Sequence, residues 1–426
     1  SLGAVTGGGN ALTLETGNGV ANADVGGLGV SGVSTLTLQN IGGTASFTGA
    51  VSATDLTVAG TVVNVSMTGA AGTITNAVTF SNTGTLTLGQ GVGTLSYDGG
   101  VTATAPSSKA VAGTISAAGT GVIDFGTSAT SVTADAILGG TSTGQITLAG
   151  TTLADGVTLT LGAGAATPVT TGAIDNTTTA NSSSLTINTT AGVTIGGNVG
   201  ATQALDVVTV AQSNGATFAG TVDAATVTIT DTADGQTVAF QDNLSVTTGM
   251  SAANGGADNY NVSITGASNS IAGATSFDNG GTLAIGDGAG DSTTFAGGVT
   301  ATAQTGAAGV TTGGTISSTD QATTLGDGDT GVTLSADTTI DTNATATNTA
   351  DISLGAVTGG TNALTLETGN GVANADVTGT SVSGVSTLTL QNIGGTASFT
   401  GAVSATDLTV AGTVLNVSMI GAAGTI

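Results

Sequence analysis

The opening 74 residues return 352 residues further along the chain. Residues 353–426 align with residues 1–74 without a gap, and six pairs differ: Gly9/Thr361, Gly26/Thr378, Leu28/Thr380, Gly29/Ser381, Val63/Leu415 and Thr68/Ile420. A chain built this way must bury its apolar side chains so that the same solution works again when the sequence follows itself. Residues 1–352 read as one complete long β-repeat, and residues 353–426 as the start of the next. A chain that opens on one copy and stops inside another is expected to be a window on a longer array.

Shorter echoes run inside the long repeat. An aromatic residue followed by x-G-x-V-x-A recurs as FTGAVSA (47–53), YDGGVTA (97–103), FAGTVDA (218–224), FAGGVTA (295–301) and FTGAVSA (399–405). Between these lie TLTLQ (35–39), DLTVAG (55–60), TLTLG (85–89), VTLTLG (157–162), SLTIN (184–188) and ATVTITDT (225–232). Each alternates an apolar residue with Thr or another polar one, the period of a strand with one buried face. Gly, Asn and Asp cluster between them as turn residues. No segment carries a capped helical period, so the chain reads as all-β.

The stock of core residues narrows the architecture. Aromatics make up 2% of the chain, Trp and Cys are absent, and Gly contributes 73 residues. Few charges (6%) and two prolines, Pro106 and Pro168, argue against disorder. Immunoglobulin-like sandwiches would call for a core Trp or a corner Tyr in each domain, and only Tyr97 and Tyr260 are present. A β-solenoid (parallel β-helix), continuous through the tandem repeats, fits better. It stacks short strands around a narrow interior that Val, Leu, Ile and Ala can fill. The LTL of 36–38 and the LTV of 56–58 lie 20 residues apart, one coil's worth. Coils of about 20 residues rising about 4.8 Å each predict roughly 17–18 coils and about 85 Å per repeat. Irregular spacing elsewhere implies coils of varying length. Each open end exposes a strand row, so an isolated repeat is expected to fray or to polymerise end to end. The expected partners are adjacent repeats and other copies of the chain.

The formal charge is −25, and Lys109 is the only cationic side chain. Such a surface repels nucleic-acid phosphates and anionic headgroups, which excludes nucleic acid as a partner. No apolar run approaches the roughly 18–20 residues that cross a bilayer, so direct membrane insertion is not expected. Divalent cations, Ca2+ above all, are the natural counter-ions for such carboxylates. Without Cys there is neither a disulfide framework nor a thiolate metal site.

The chain lacks the usual reagents of catalysis: His, Cys and Arg are missing. Lys109, in APSSKA beside Pro106, reads as an exposed solubilising lysine. Glu15 and its copy Glu367 sit in TLE, near a strand end. No enzymatic function is expected. Two acidic turns are candidate Ca2+ sites: IGDGAGDSTTF, with Asp287 and Asp291, and LGDGDTGVTL, with Asp327 and Asp329. Neither matches the G-G-x-G-x-D nonapeptide of calcium β-rolls, and Asp-Gly is also a common tight-turn pair without a metal. A rise in thermal stability on Ca2+ titration would mark real sites. Outward Thr rows such as Thr226, Thr228 and Thr230 invite an ice-binding reading, but Thr is a good outward strand residue in its own right. The Asn-x-Ser/Thr sequons at Asn176, Asn188 and Asn243 are expected by chance in so Thr-rich a chain.

The LTL…G…V-x-A texture, the low aromatic content and the long near-identical repeat resemble the large β-strand-repeat surface proteins of Gram-negative bacteria. These include filamentous-haemagglutinin-like and autotransporter-type adhesins. The resemblance implies a right-handed parallel β-helix, export through an outer-membrane pore, and a place at the cell surface as a secreted adhesin or structural filament with surface or matrix ligands. Surface-layer proteins share the Thr/Ala/Val/Gly bias, the acidic pI and the lack of Cys. They imply instead a two-dimensional lattice stabilised by Ca2+.

Overall fold

The computed structural model describes residues 1–17, 20–254, 256, 259–305, 309–345, 350–369, 374–421 and 424–426. These residues form strands and turns, with no helix among them. They fall into two compact units, Ser1–Ala216 and Thr217–Ile426. Each is a parallel β-solenoid, and between them the units hold about 17 turns. The boundary between units lies inside the first copy of the repeat.

The strand Val25–Leu38 shows how one turn is made. Val25–Gly27 pair with Ala45–Phe47, Val30 with Val51, and Leu36–Leu38 with Leu56–Val58, all parallel. The register slips between Val30 and Val33, where Gly32 takes φ +62°. One long strand thus bends around its coil and turns successive short faces inward. Parallel pairing requires a long crossover between partners, and here the remainder of the coil is that crossover.

Alternation then sorts the side chains. Leu12, Leu36 and Leu56 stack in one inward row, while Thr13, Thr37 and Thr57 stack in register beside them on the outer side. In the second unit the outward row runs Ser292, Thr315, Thr339, Thr365, Thr389, Thr409, paired coil by coil. Thr226 and Thr228 likewise point outward, flanking buried Val227. The interior is Val, Leu, Ile and Ala, together with all eight Phe and both Tyr. Where aromatics meet they make specific contacts: Phe218 stacks on Phe240 at 4.9 Å, and Phe80 meets Tyr97 edge-on at 6.1 Å.

The aromatic-x-G-x-V-x-A echo proves to be a corner. Phe47 closes one strand facing inward, and Val51 opens the next, also inward. A β-carbon at the intervening Gly49 would overlap the Leu28 carbonyl of the neighbouring coil, so the chain turns there only without a side chain. Gly297, in FAGGVTA, would overlap the backbone of Gly273 and Ala274 in the same way.

Coil length is less regular than a 20-residue coil predicts. Leu36 pairs with Leu56 at that interval, but Leu12 pairs with Leu36, Leu159 with Leu185 and Thr323 with Ile352, at intervals from 24 to 29. About 17 turns therefore account for the whole chain, and the expectation of 17–18 per repeat is too high. The surplus residues sit outside strands, as at 177–183, and leave strand register intact.

Within the second unit, the start of the second copy causes no break. Thr324 pairs with Ser353, Leu325 with Leu354, Val332 with Val357 and Ile340 with Leu366, all parallel. The end of one copy stacks on the start of the next as any coil stacks on its neighbour.

Lys109 corrects the sequence reading. It lies inside the strand Ser108–Ala117, pairs with Leu86 on one side and Thr130 on the other, and is buried. Inward alternation with Val111 places it in the core row, so it adds nothing to the solvated surface.

Candidate functional site

Because 74 residues occur twice, the same side chains can be seen covered and uncovered. In the first unit Val58, Val65 and Met67 are buried beneath the following coil, through Val58–Phe80, Val65–Leu86 and Met67–Leu88. Their copies in the second unit, Val410, Val417 and Met419, are 45%, 42% and 36% exposed. The opposite edge shows the converse. Leu2, Val5, Leu12 and Leu14 are half-buried in the first unit, whereas Leu354, Val357, Leu364 and Leu366 are buried against the coil that precedes them. Among the described residues, the strands Leu2–Thr6 and Asn416–Met419 each pair with one neighbouring strand.

Acidic side chains work mainly at coil corners. Asp24 accepts the Thr44 N–H of the next coil at 2.7 Å, and its copy Asp376 accepts the Thr396 N–H at 2.6 Å. Asp135, Asp234, Asp337 and Asp351 take the N–H of Thr158, Asn259, Ala363 and Asp376 at 2.7–2.8 Å. Asn64 and Asn261 fill the same role without charge, towards Thr85 and Thr282. A carboxylate in this position satisfies a corner N–H that the ladder leaves free, as an N-cap does for a helix.

Two further acidic clusters recur or stand out. Glu15 accepts the side-chain amides of Gln39 (2.9 Å) and Asn40 (3.3 Å), and Glu367 those of Gln391 and Asn392, both at 3.0 Å. The Gln39 bond, then the Asn40 bond, hold the Glu15 carboxyl below its ordinary range. Asp155 receives the hydroxyls of Thr178 (2.6 Å) and Thr179 (2.7 Å) and the Thr179 N–H (3.0 Å). These donors, the Thr178 hydroxyl first, pull its pKa well below the usual carboxylate range.

Each pair of candidate calcium ligands closes its own turn. Asp291 accepts the N–H groups of Asp287 (2.9 Å) and Gly288 (2.8 Å), and the Asp287 bond above all lowers its pKa. Asp327 accepts those of Asp329 (3.1 Å) and Thr330 (3.0 Å), and is lowered chiefly by Thr330. Asp329 shifts upward, through its hydrogen bond with Asp327 and then that group's charge. Among the described residues no group of three or more acidic side chains converges, while Ca2+ takes 6–8 oxygen ligands.

The Lys109 ammonium donates to Ser128 Oγ, which in turn donates to the Pro106 carbonyl at 2.7 Å. Burial lowers its pKa, and the negative charge of Asp124 partly offsets this. Thr130 Oγ1, in register on the next coil, is buried without a hydrogen-bond partner. Sequence reasoning missed this cluster because the turn signal of Pro106 outweighed the alternation that begins at Ser108. Of the sequons, Asn176 is buried with its amide bonded to the Ala204 carbonyl at 2.7 Å. Asn188 and Asn243 accept bonds from Gln212 and Ser268 of neighbouring coils.

No family model matches the chain, and no curated protein or solved structure matches it either.

Proposed function

We propose that the chain is the structural repeat region of an extracellular bacterial fibre or adhesin, a rod-like scaffold for surface attachment or for filament and matrix formation. The observation that carries this reading is the pairing of Leu325 with Leu354 and of Ile340 with Leu366. Through these pairs one copy hands over to the next without a linker, so added copies extend a stack and do not string out separate domains. The role is mechanical and not enzymatic. Interstrand hydrogen bonds between coils resist separation, and outward Thr with a net charge of −25 keeps neighbouring assemblies soluble.

Negative-stain microscopy of the native assembly, with antibody labelling of intact cells, tests this. Single filaments labelled at the cell exterior are expected. Planar lattices would favour a surface-layer role with Ca2+, and labelling confined to the cell interior would overturn the reading.

A further inference from the structure

We propose that Ser128 is a nucleophile primed by Lys109, its proton acceptor, and that it is a site of acyl modification by an activated carboxylic ester. This claim is independent of the scaffold reading.

The fold does not need a cation where Lys109 stands. The segments GGVTATA (99–105) and GTIS (113–116) return as GGVTATA (297–303) and GTIS (314–317). Lys109 and Val310 each lie four residues before the GTIS glycine, and their settings match. Lys109 is in register with Leu86 and Thr130, Val310 with Leu283 and Val332. In both strands the register slips at the same step, before Gly113 and before Gly314. Leu283, Val310 and Val332 make an ordinary apolar core row. Lys109 in the equivalent row carries a desolvation penalty, and Thr130 Oγ1 beside it is buried without a hydrogen-bond partner. A polar pair kept in a core row at such a cost points to chemistry.

The geometry suits proton transfer. The Lys109 amine is hydrogen-bonded to Ser128 Oγ, which also donates to the Pro106 carbonyl at 2.7 Å. Ser128 is half-buried at a corner between exposed Thr127 and Ala129, so it is reached from the corner while the amine lies behind it in the core. Burial lowers the pKa of the amine against the pull of Asp124, which raises the share of neutral amine able to accept a proton. The strands on either side face it with Leu86 and Thr130, neither of them titratable. In the step, Ser128 Oγ attacks the ester carbonyl carbon and its proton passes to Lys109 Nζ. The bond from that carbon to the leaving oxygen then breaks, and the leaving oxygen takes the proton from Nζ. An acyl-serine and a free alcohol result.

The test is p-nitrophenyl acetate added to the full chain, with peptide mass spectrometry over time. Acetylation is expected at Ser128, ahead of exposed Ser107 and Ser108. Lys109→Met keeps the side-chain volume and is expected to slow Ser128 labelling by about 100-fold or more, the scale of general-base assistance, with the melting temperature maintained. The wild type by itself supplies a second readout. Its labelling rate should rise with pH until the amine is neutral and then level off, a plateau that Lys109→Met should lack. Ser128 labelled no faster than Ser107, equal rates in the wild type and Lys109→Met, or acetyl on Lys109 itself would overturn the proposal.

Discussion

Val65 and Val417 are one position of the repeat in two settings: the first is 1% exposed beneath Leu86, the second 42% exposed and paired, among the described residues, with Ala397 alone. Their own sequence and their underlying coil are the same, apart from the substitutions noted above. The difference is the covering coil.

This gives a matched pair of core truncations. Met67→Ala removes a buried side chain and is expected to destabilise the first unit by about 2–5 kcal/mol, the range for emptying a packed core site. Met419→Ala, at an edge that is 36% exposed, should cost well under half as much. Urea titration with hydrogen exchange resolved along the chain reads both, and equal losses would contradict the role of the covering coil.

Thr361 stands at φ +77° where the first copy has Gly9 at φ +84°. A β-branched residue in the left-handed region carries about 1–2 kcal/mol of strain, and glycine returns about 0.5–1 kcal/mol of that as chain entropy. Thr361→Gly is therefore expected to stabilise the second unit, by up to about 1.5 kcal/mol. A lower melting temperature for the variant would show that the Thr361 side chain contributes more than its backbone costs.

Asp155, Asp291, Asp327 and Glu15 are all held below the ordinary carboxylate range by donated hydrogen bonds. Folded, they stay ionised at pH values where the unfolded chain has taken up protons. Their contribution is present above the unfolded pKa of about 4 and disappears as pH falls through the lowered folded values. Asp341 has the opposite sign. Burial raises its pKa, the Asn343 N–H donated to it partly offsets this, and the charge of Glu367 in register on the next coil adds to the rise, so its ionised form weakens the fold at neutral pH. Asp155→Asn should lower the melting temperature at about pH 7, by an amount that shrinks as the pH falls below about 4. Asp341→Asn should raise it at about pH 7, a gain that fades on acidification. Thermal melts of both variants across pH check the two signs.

Lys109 is buried with a single side-chain acceptor, Ser128. An amine-acylating reagent is expected to leave it unmodified in the native chain and to label it after denaturation, as peptide mass spectrometry can read. Lys109→Met keeps the side-chain volume and removes a charge that burial penalises, so it should be at least as stable as the wild type. Lys109→Ala should cost about 2 kcal/mol or more through the cavity it leaves. Full native labelling would place the amine in solvent and refute the core assignment.

Much of the fold was legible because alternation is local. Leu36-Thr37-Leu38 and Leu56-Thr57-Val58 declare an inward and an outward face in three residues, and the structure pairs them in the predicted register. The corner chemistry was visible as a pattern around Phe47 and Val51, although its meaning was not, since the Leu28 carbonyl that enforces Gly49 belongs to another coil. Coil length was illegible for a related reason. Leu159 finds Leu185 across a corner whose seven residues 177–183 carry no periodic signal. The acidic corners were hidden because a carboxylate that accepts a backbone N–H twenty or more residues away looks the same in sequence as one that is free to bind a cation. Lys109 was misplaced because a lone charged residue is normally solvated, and only its register with Leu86 and Thr130 reveals otherwise.

The join at residues 352 and 353 has a genetic corollary. Unequal crossing-over between near-identical stretches adds or deletes 352 residues at a time. Since the strand pairs on either side of the junction would be re-created whole, every recombinant inherits a finished structure. Populations could then differ in the size of this protein while each allele remained foldable.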